Sequence, residues 1–290
     1  MSRLVTTSAL AFVLSFGGTA CAKNDDAPWQ EDLNAFLEVL HAEHDNPYFH
    51  TPRAEFELAI ADYRAALPEL SRAERITGFA RIVARVGDGH TWMPMYRLPF
   101  DGFPPGPGFS SLPIRFELFD DGLYVVGASH AHADLLGTRV TGFGDVPAEE
   151  AVSRVMELLP QDATNFAREF VAEWLMQVEL LEALGLAAGD QVTLSLQRDG
   201  EVRTVDLAAL DAGAMYNWVF SMDDGPMGQQ DWHTAAEQQP FWMQAFDGQS
   251  RIAEFEGATY LQITEIRDGE NQTFAEMAQA AVTQAEARDE

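Results

Sequence analysis

The stretch 97–111 most constrains how this 290-residue chain folds. It holds Pro99, Gly102, Pro104, Pro105, Gly106, Pro107 and Gly108. Proline lacks a donor N–H and glycine lacks a preferred φ, so no regular element survives that composition, and it reads as a linker or loop. On its N-terminal side, apolar residues recur every three or four positions. Beyond it the period falls toward two. A helical part followed by a β-rich part makes the chain α+β in class.

Three helices are expected before the linker, in a helical domain over 23–96. The first runs from Pro28 to about His44, with Asp25 and Asp26 as cap candidates and Trp29, Leu33, Phe36, Leu37 and Leu40 on one face. Asn46-Pro47 breaks it. Thr51-Pro52 supplies a cap and a first-turn proline for the second, whose stripe is Phe56, Ile60, Tyr63 and Leu67. Ser71 and Glu74 form a capping box for the third, with Ile76, Phe79, Val83 and Val86 on its apolar face. Gly87 is placed to end that helix in a left-handed conformation. Directly after it, Val86-Gly87-Asp88-Gly89-His90-Thr91 sets one histidine among small neighbours at a helix exit, where a side chain is easily aimed into a cleft.

Residues 112–210 read as a β domain with helical inserts. Leu112–Phe119 and Gly122–Ala128 are expected to pair around Asp120-Asp121-Gly122, followed by a short strand near Val140. A helix is expected from Pro147 to Leu159. A longer one follows Asp162, running through Leu181 and stopping near Gly185. Gln191–Gln197 and Glu201–Leu207 form a hairpin across Asp199-Gly200. The segment 211–257 reads as irregular connection. Ala258–Ile266 is a strand, and Thr273 with Glu276 caps a final helix. A strand followed by a crossover helix is two-thirds of a βαβ unit, so 258–290 reads as the beginning of an α/β domain that is cut off.

Residues 1–22 are read as an export signal: Arg3, an apolar run from Leu4 to Phe16, then a small-residue zone. Ala20-Cys21-Ala22 fits cleavage before Lys23. Alternatively Cys21, the chain's single cysteine, is the lipidated first residue of a membrane-anchored lipoprotein. Both place the protein outside the cytoplasm, in the periplasm or anchored at a membrane, without an internal disulfide. The formal charge, 18 − 46 = −28, repels phosphate backbones and argues against nucleic-acid partners. A hydrophobic share of 47% with 22% charged residues is that of a globular chain.

The order of these parts resembles the tail-specific, or C-terminal processing, serine peptidase family, in the branch that includes tricorn-like proteases. The likeness rests on Val86-Gly87-Asp88-Gly89-His90-Thr91, on Leu123-Tyr124-Val125-Val126 with Leu135-Leu136-Gly137-Thr138-Arg139-Val140, on Gly200, and on Tyr260-Leu261-Gln262-Ile263. It spans about residues 30–290 and lies in the order of the pieces, none of which is specific alone. The resemblance implies a PDZ-like domain over 112–210 that captures an extended peptide or its free carboxylate by strand addition to an open edge. It also implies acyl transfer to a serine in an α/β domain, with no cofactor and with polypeptides or peptides as substrates. The family's serine follows a Leu-Arg-x-Asn-x-Gly-Gly-like turn. No such motif occurs here, nor does a Gly-x-Ser-x-Gly elbow, so the nucleophile is expected beyond residue 290 and these residues alone are expected to be inactive.

Some family members draw a general base from the N-terminal motif, and others use a lysine after the serine. His90 is the candidate base, because imidazole can take the serine proton and return it to the leaving amine near neutral pH. Asp88 either orients His90 or caps the turn. The competing reading of His90 is a buried, hydrogen-bonded histidine. The rival function is a non-catalytic peptide-binding module, periplasmic or lipid-anchored. Alternating His130 and His132 with Asp134 offer a metal-binding reading, and His41 with His44 a weaker one. His233 and the aromatic group Trp218, Phe220, Trp232, Phe241, Trp242 and Phe246 are candidates to line an apolar cleft.

Overall fold

A computed structural model describes residues 26–95, 106–161, 164–210, 232–234, 241, 250–264, 266, 268 and 272–287. The proposed signal segment, Cys21 and most of 97–111 lie outside the described residues. So do Trp218, Phe220, Trp242 and Phe246. The chain is mixed α+β with a mostly antiparallel sheet. It divides into two compact units, 1–235 and 236–290.

The first unit opens with α1 (Ala27–Glu43), α2 (Arg53–Ala66) and α3 (Arg72–Ala84). Leu33, Phe36 and Leu40 of α1 meet Phe56, Ile60 and Tyr63 of α2 and Phe79 and Val83 of α3 in one buried cluster. Phe36 and Phe79 meet edge to face at 5.7 Å, the arrangement that aligns ring edge with ring face. The capping box forms: Ser71 Oγ accepts from the Glu74 amide, and Glu74 accepts from the Ser71 amide. Two expected caps do not form. Asp26 makes no side-chain cap bond and instead meets Arg75 at 2.8 Å. Thr51 is not the cap of α2, because its hydroxyl donates to the Arg85 carbonyl at 2.7 Å. In both cases a tertiary partner outcompetes the local one.

Helix α3 is buried on two sides. Phe79 and Val83 belong to the helical cluster, whereas Ile76 and Ala80 belong to the cluster under the sheet. The single stripe expected from Ile76 to Val86 is therefore divided between two cores.

The sheet contains β1 (Ile114–Phe119), β2 (Gly122–Ser129), β3 (Arg139–Phe143), β4 (Val146–Pro147), β5 (Gln191–Arg198), β6 (Glu201–Ala208) and β7 (Trp232–Thr234). Its order is β1-β2-β3-β5-β6, with β4 beside β3 and β7 beside β2, and every pairing is antiparallel. Strand β5 alternates Val192, Leu194 and Leu196 into the core, the period-2 pattern of a half-buried strand. Asp199 and Gly200 both take positive φ, 52° and 87°, which a two-residue turn matched to the strand twist requires. Strand β7 corrects the irregular reading of 211–257 at that point, and nothing in its short sequence announces it.

Between β4 and β5 lie α4 (Ala148–Met156), α5 (Thr164–Trp174) and α6 (Val178–Ala183). The single long helix expected after Asp162 is broken at 175–177. There Leu112 N–H donates to the Met176 carbonyl and Val178 N–H to the Ser110 carbonyl, both at 2.9 Å. Pairing with the strand-like segment 110–112 replaces a helical turn. The run His130–Leu135 is a 3-10 turn, not a strand.

The second unit pairs β8 (Ser250–Phe255) with β9 (Ala258–Ile263) as a hairpin, followed by α7 (Phe274–Glu286). The expected strand at 258 and the Thr273–Glu276 capping box are present. Strand β8 is a second correction to the irregular reading of 211–257. Met277 and Ala281 of α7 are buried, but Val282 is 50% exposed.

Candidate functional site

The exit of α3 places the motif. Gly87 takes φ +76°, a region costly for residues with a Cβ. A Cβ there would lie 2.5 Å from the His50 ring. This close approach seats the turn 88–91 beside the connection between α1 and α2. Thr91 N–H donates to the Asp88 carbonyl at 2.8 Å. Asp88 Oδ1 accepts from the His90 amide at 3.0 Å and Oδ2 from the Thr91 hydroxyl at 2.9 Å. The carboxylate therefore caps the turn.

It also lies between two imidazoles: His90 Nδ1 is 3.7 Å from Oδ1, and His44 Nε2 is 3.5 Å from Oδ2. Partial burial pushes the Asp88 carboxyl up. The His90 amide, the Thr91 hydroxyl and the two imidazoles outweigh that, and hold it below the ordinary carboxylate range. Asp88 thus places an anionic carboxylate between the two imidazoles. The His90 side chain is fully exposed, which excludes the buried-histidine reading. Nε2 of His90 has no partner among the described residues.

No serine approaches His90 in the hydrogen bonds of the described residues. Ser110 Oγ donates to Glu179, Ser153 Oγ to the Glu149 carbonyl, and Ser71 caps α3. The other histidine readings come apart. His41 Nε2 lies 2.5 Å from the Tyr48 hydroxyl, and His44 Nδ1 accepts from the Asn46 amide. Asp134 is engaged by Arg203 at 2.7 Å. Among the described residues no group of three metal-ligating side chains converges. The side chains of His130, Trp232 and His233 lie outside what is described, whereas Phe241 stacks on Phe255 at 4.6 Å in the second unit.

A second feature lies along β1, on the side away from β2. Helix α5 packs there, and Arg168 donates to the Leu118 carbonyl at 3.4 Å while pairing with Asp120 at 3.2 Å. Helix α5 therefore occupies part of this edge of the sheet. Between the two elements runs a narrow groove lined by Arg115 and Glu117 of β1 and by Glu169, Ala172 and Glu173 of α5. Burial pushes the Glu173 carboxyl up to about 7, with Arg115 opposing and Glu169 and Glu117 adding to the rise. Burial also raises Glu117, helped by Glu169. Sequence reasoning missed this cluster. Glu169 and Glu173 stand four apart on one helix face, but only the tertiary fold brings Glu117 to them.

Neither a protein-family model nor a curated protein matches the chain.

Proposed function

We propose that this chain belongs to an exported peptidase-like protein of the tail-specific type, with a PDZ-like sheet that receives an extended peptide and His90 as general base. The observation that carries the reading is the connectivity. A β1–β2 hairpin, a 3-10 turn, β3–β4, the three helices α4 to α6 and a closing β5–β6 hairpin keep the order read from the sequence for a PDZ-like domain with helical inserts. They follow, after the linker 97–111, a helical region ending in the His90 turn. The fully exposed imidazole, with Asp88 Oδ1 3.7 Å from its Nδ1, supports the base role, because a base must be free to reach the proton it takes.

With part of β1 occupied by α5, the receiving edge is β6. Among the described residues it pairs only with β5, and most of its side chains are exposed. Arg198 and Glu201 flank the two-residue turn, so alternate residues Val202, Thr204 and Asp206 turn their amides outward. An extended peptide would use those amides.

Two measurements test the reading. Protein purified from its native source, unchanged or carrying His90→Ala, is assayed for fluorophosphonate labelling and casein hydrolysis. Labelling with a fall in turnover of about 10²–10⁴-fold on His90→Ala supports a serine peptidase with His90 as base, and undiminished turnover refutes that role. Fluorescence anisotropy with a library of unstructured peptides then tests the edge. Thr204→Pro removes one outward donor at an edge position that tolerates proline, and should weaken binding about two- to tenfold, the worth of one hydrogen bond. Binding without hydrolysis supports the non-catalytic module.

A further inference from the structure

We propose that the contact between α5 and β1 is a pH-sensitive latch, tighter in mild acid and looser above neutrality. Three carboxylates, Glu117 from β1 and Glu169 and Glu173 from α5, share one groove with a single guanidinium, Arg115. Glu173 Oε2 is buried without a hydrogen-bond donor among the described residues, which disfavours a charge there.

The other charged groups around these elements have partners elsewhere. Arg168 is engaged by the Leu118 carbonyl and Asp120. Arg154 of the neighbouring α4 turns to Glu150 and the Leu184 carbonyl. Glu179, at the start of α6, accepts from Ser110 through both oxygens, and Arg72 of α3 donates to the Pro107 carbonyl. Once all three carboxylates ionise, the groove carries two uncompensated negative charges across the interface.

Protonating Glu173 removes the worst of that repulsion. Its folded-state carboxyl sits near 7 against an ordinary 4.5. The closed state therefore holds a proton that the open state releases. Raising the pH through this window favours opening by up to about 10²-fold, since each pH unit separating the closed and open carboxyl values is a factor of ten. Val171, Trp174 and Leu175 are fully buried, so the closed form remains dominant at both extremes. The latch alters how often α5 opens, not the ground-state fold. It holds whether or not the sheet receives a peptide.

Hydrogen exchange read by mass spectrometry tests it on the intact protein between pH 5 and 8.5, with rates corrected for the intrinsic pH dependence. Peptides covering 164–178 should lose protection by at least about tenfold across the range, while the β5–β6 hairpin changes little. Glu173→Gln should hold the 164–178 protection flat and high. An unchanged wild-type profile, or a fall that survives in Glu173→Gln, overturns the proposal. If Glu173→Gln fails to fold by circular dichroism, Glu117→Gln decides. A smaller fall supports the latch, and an undiminished one refutes it.

Discussion

Replacing Gly87 by alanine should destabilise the first unit by an amount with two separable parts. The first is conformational. Gly87 holds φ +76°, and an L-residue in that region costs about 1–2 kcal/mol. The second is steric. The new Cβ would stand 2.5 Å from His50 Cγ and 2.6 Å from its Cβ. A clash with the imidazole alone could be relieved by rotating an exposed ring, but one with Cβ moves the backbone before Thr51. Overpacking of that kind costs about 1–3 kcal/mol. The sum is roughly 2–5 kcal/mol, read by urea denaturation with tryptophan fluorescence and circular dichroism. His50→Gly separates the parts, because it removes both offending atoms. In that background Gly87→Ala should retain only the conformational cost, about 1–2 kcal/mol. A loss under about 0.5 kcal/mol, the level of an ordinary surface substitution, or equal losses in both backgrounds, would refute the reasoning. Because Gly87 leads directly into Asp88 and His90, the same substitution should also disturb whatever the turn does.

Other outcomes follow from the packing. Phe79→Ala removes a ring that meets Phe36 in the helical core and should cost about 3–5 kcal/mol in the same denaturation experiment. Arg75→Met should cost about 3 kcal/mol or more, because it leaves Asp26 without the guanidinium 2.8 Å away and the Leu70 carbonyl without its donor. That ion pair is close but poorly aligned for a hydrogen bond, so a much smaller loss would show that Asp26 is already well hydrated. Ser71→Ala should cost about 1 kcal/mol through the lost cap. Bonds from the Ser71 amide and hydroxyl hold the Glu74 carboxyl below its ordinary 4.5. That contribution is present above the unfolded value and fades as pH falls through the depressed one, so the difference between wild type and Ser71→Ala should shrink below about pH 4.

Much of the helical part was legible because its determinants are local. The apolar stripes of α1 and α2, the Ser71–Glu74 box, the left-handed Gly87 and the Asp199-Gly200 turn each lie within a few residues. The hairpin strands were legible from alternation. Where local signals met a tertiary competitor, they failed. Asp26 left its helix for Arg75, Thr51 reached the Arg85 carbonyl, and the helix expected through Leu181 broke so that 176–178 could pair with 110–112. The role of Asp88 was half visible: a turn cap could be read from Asp-Gly-His-Thr, but His44 as its second neighbour comes from 44 residues earlier in the chain.

The sequence by itself determined the α+β class and the order of the three opening helices and the paired strands β1–β2 and β5–β6, because backbone propensity, capping and periodicity act over one or two turns. Only the tertiary structure decided which faces meet. It divided α3 between two cores, laid α5 along β1, and gathered Glu117, Glu169 and Glu173 around Arg115. The physical reason is range. A carboxylate's environment is fixed by charges and burial within a few ångströms in space, and here those neighbours are separated by some fifty residues of chain.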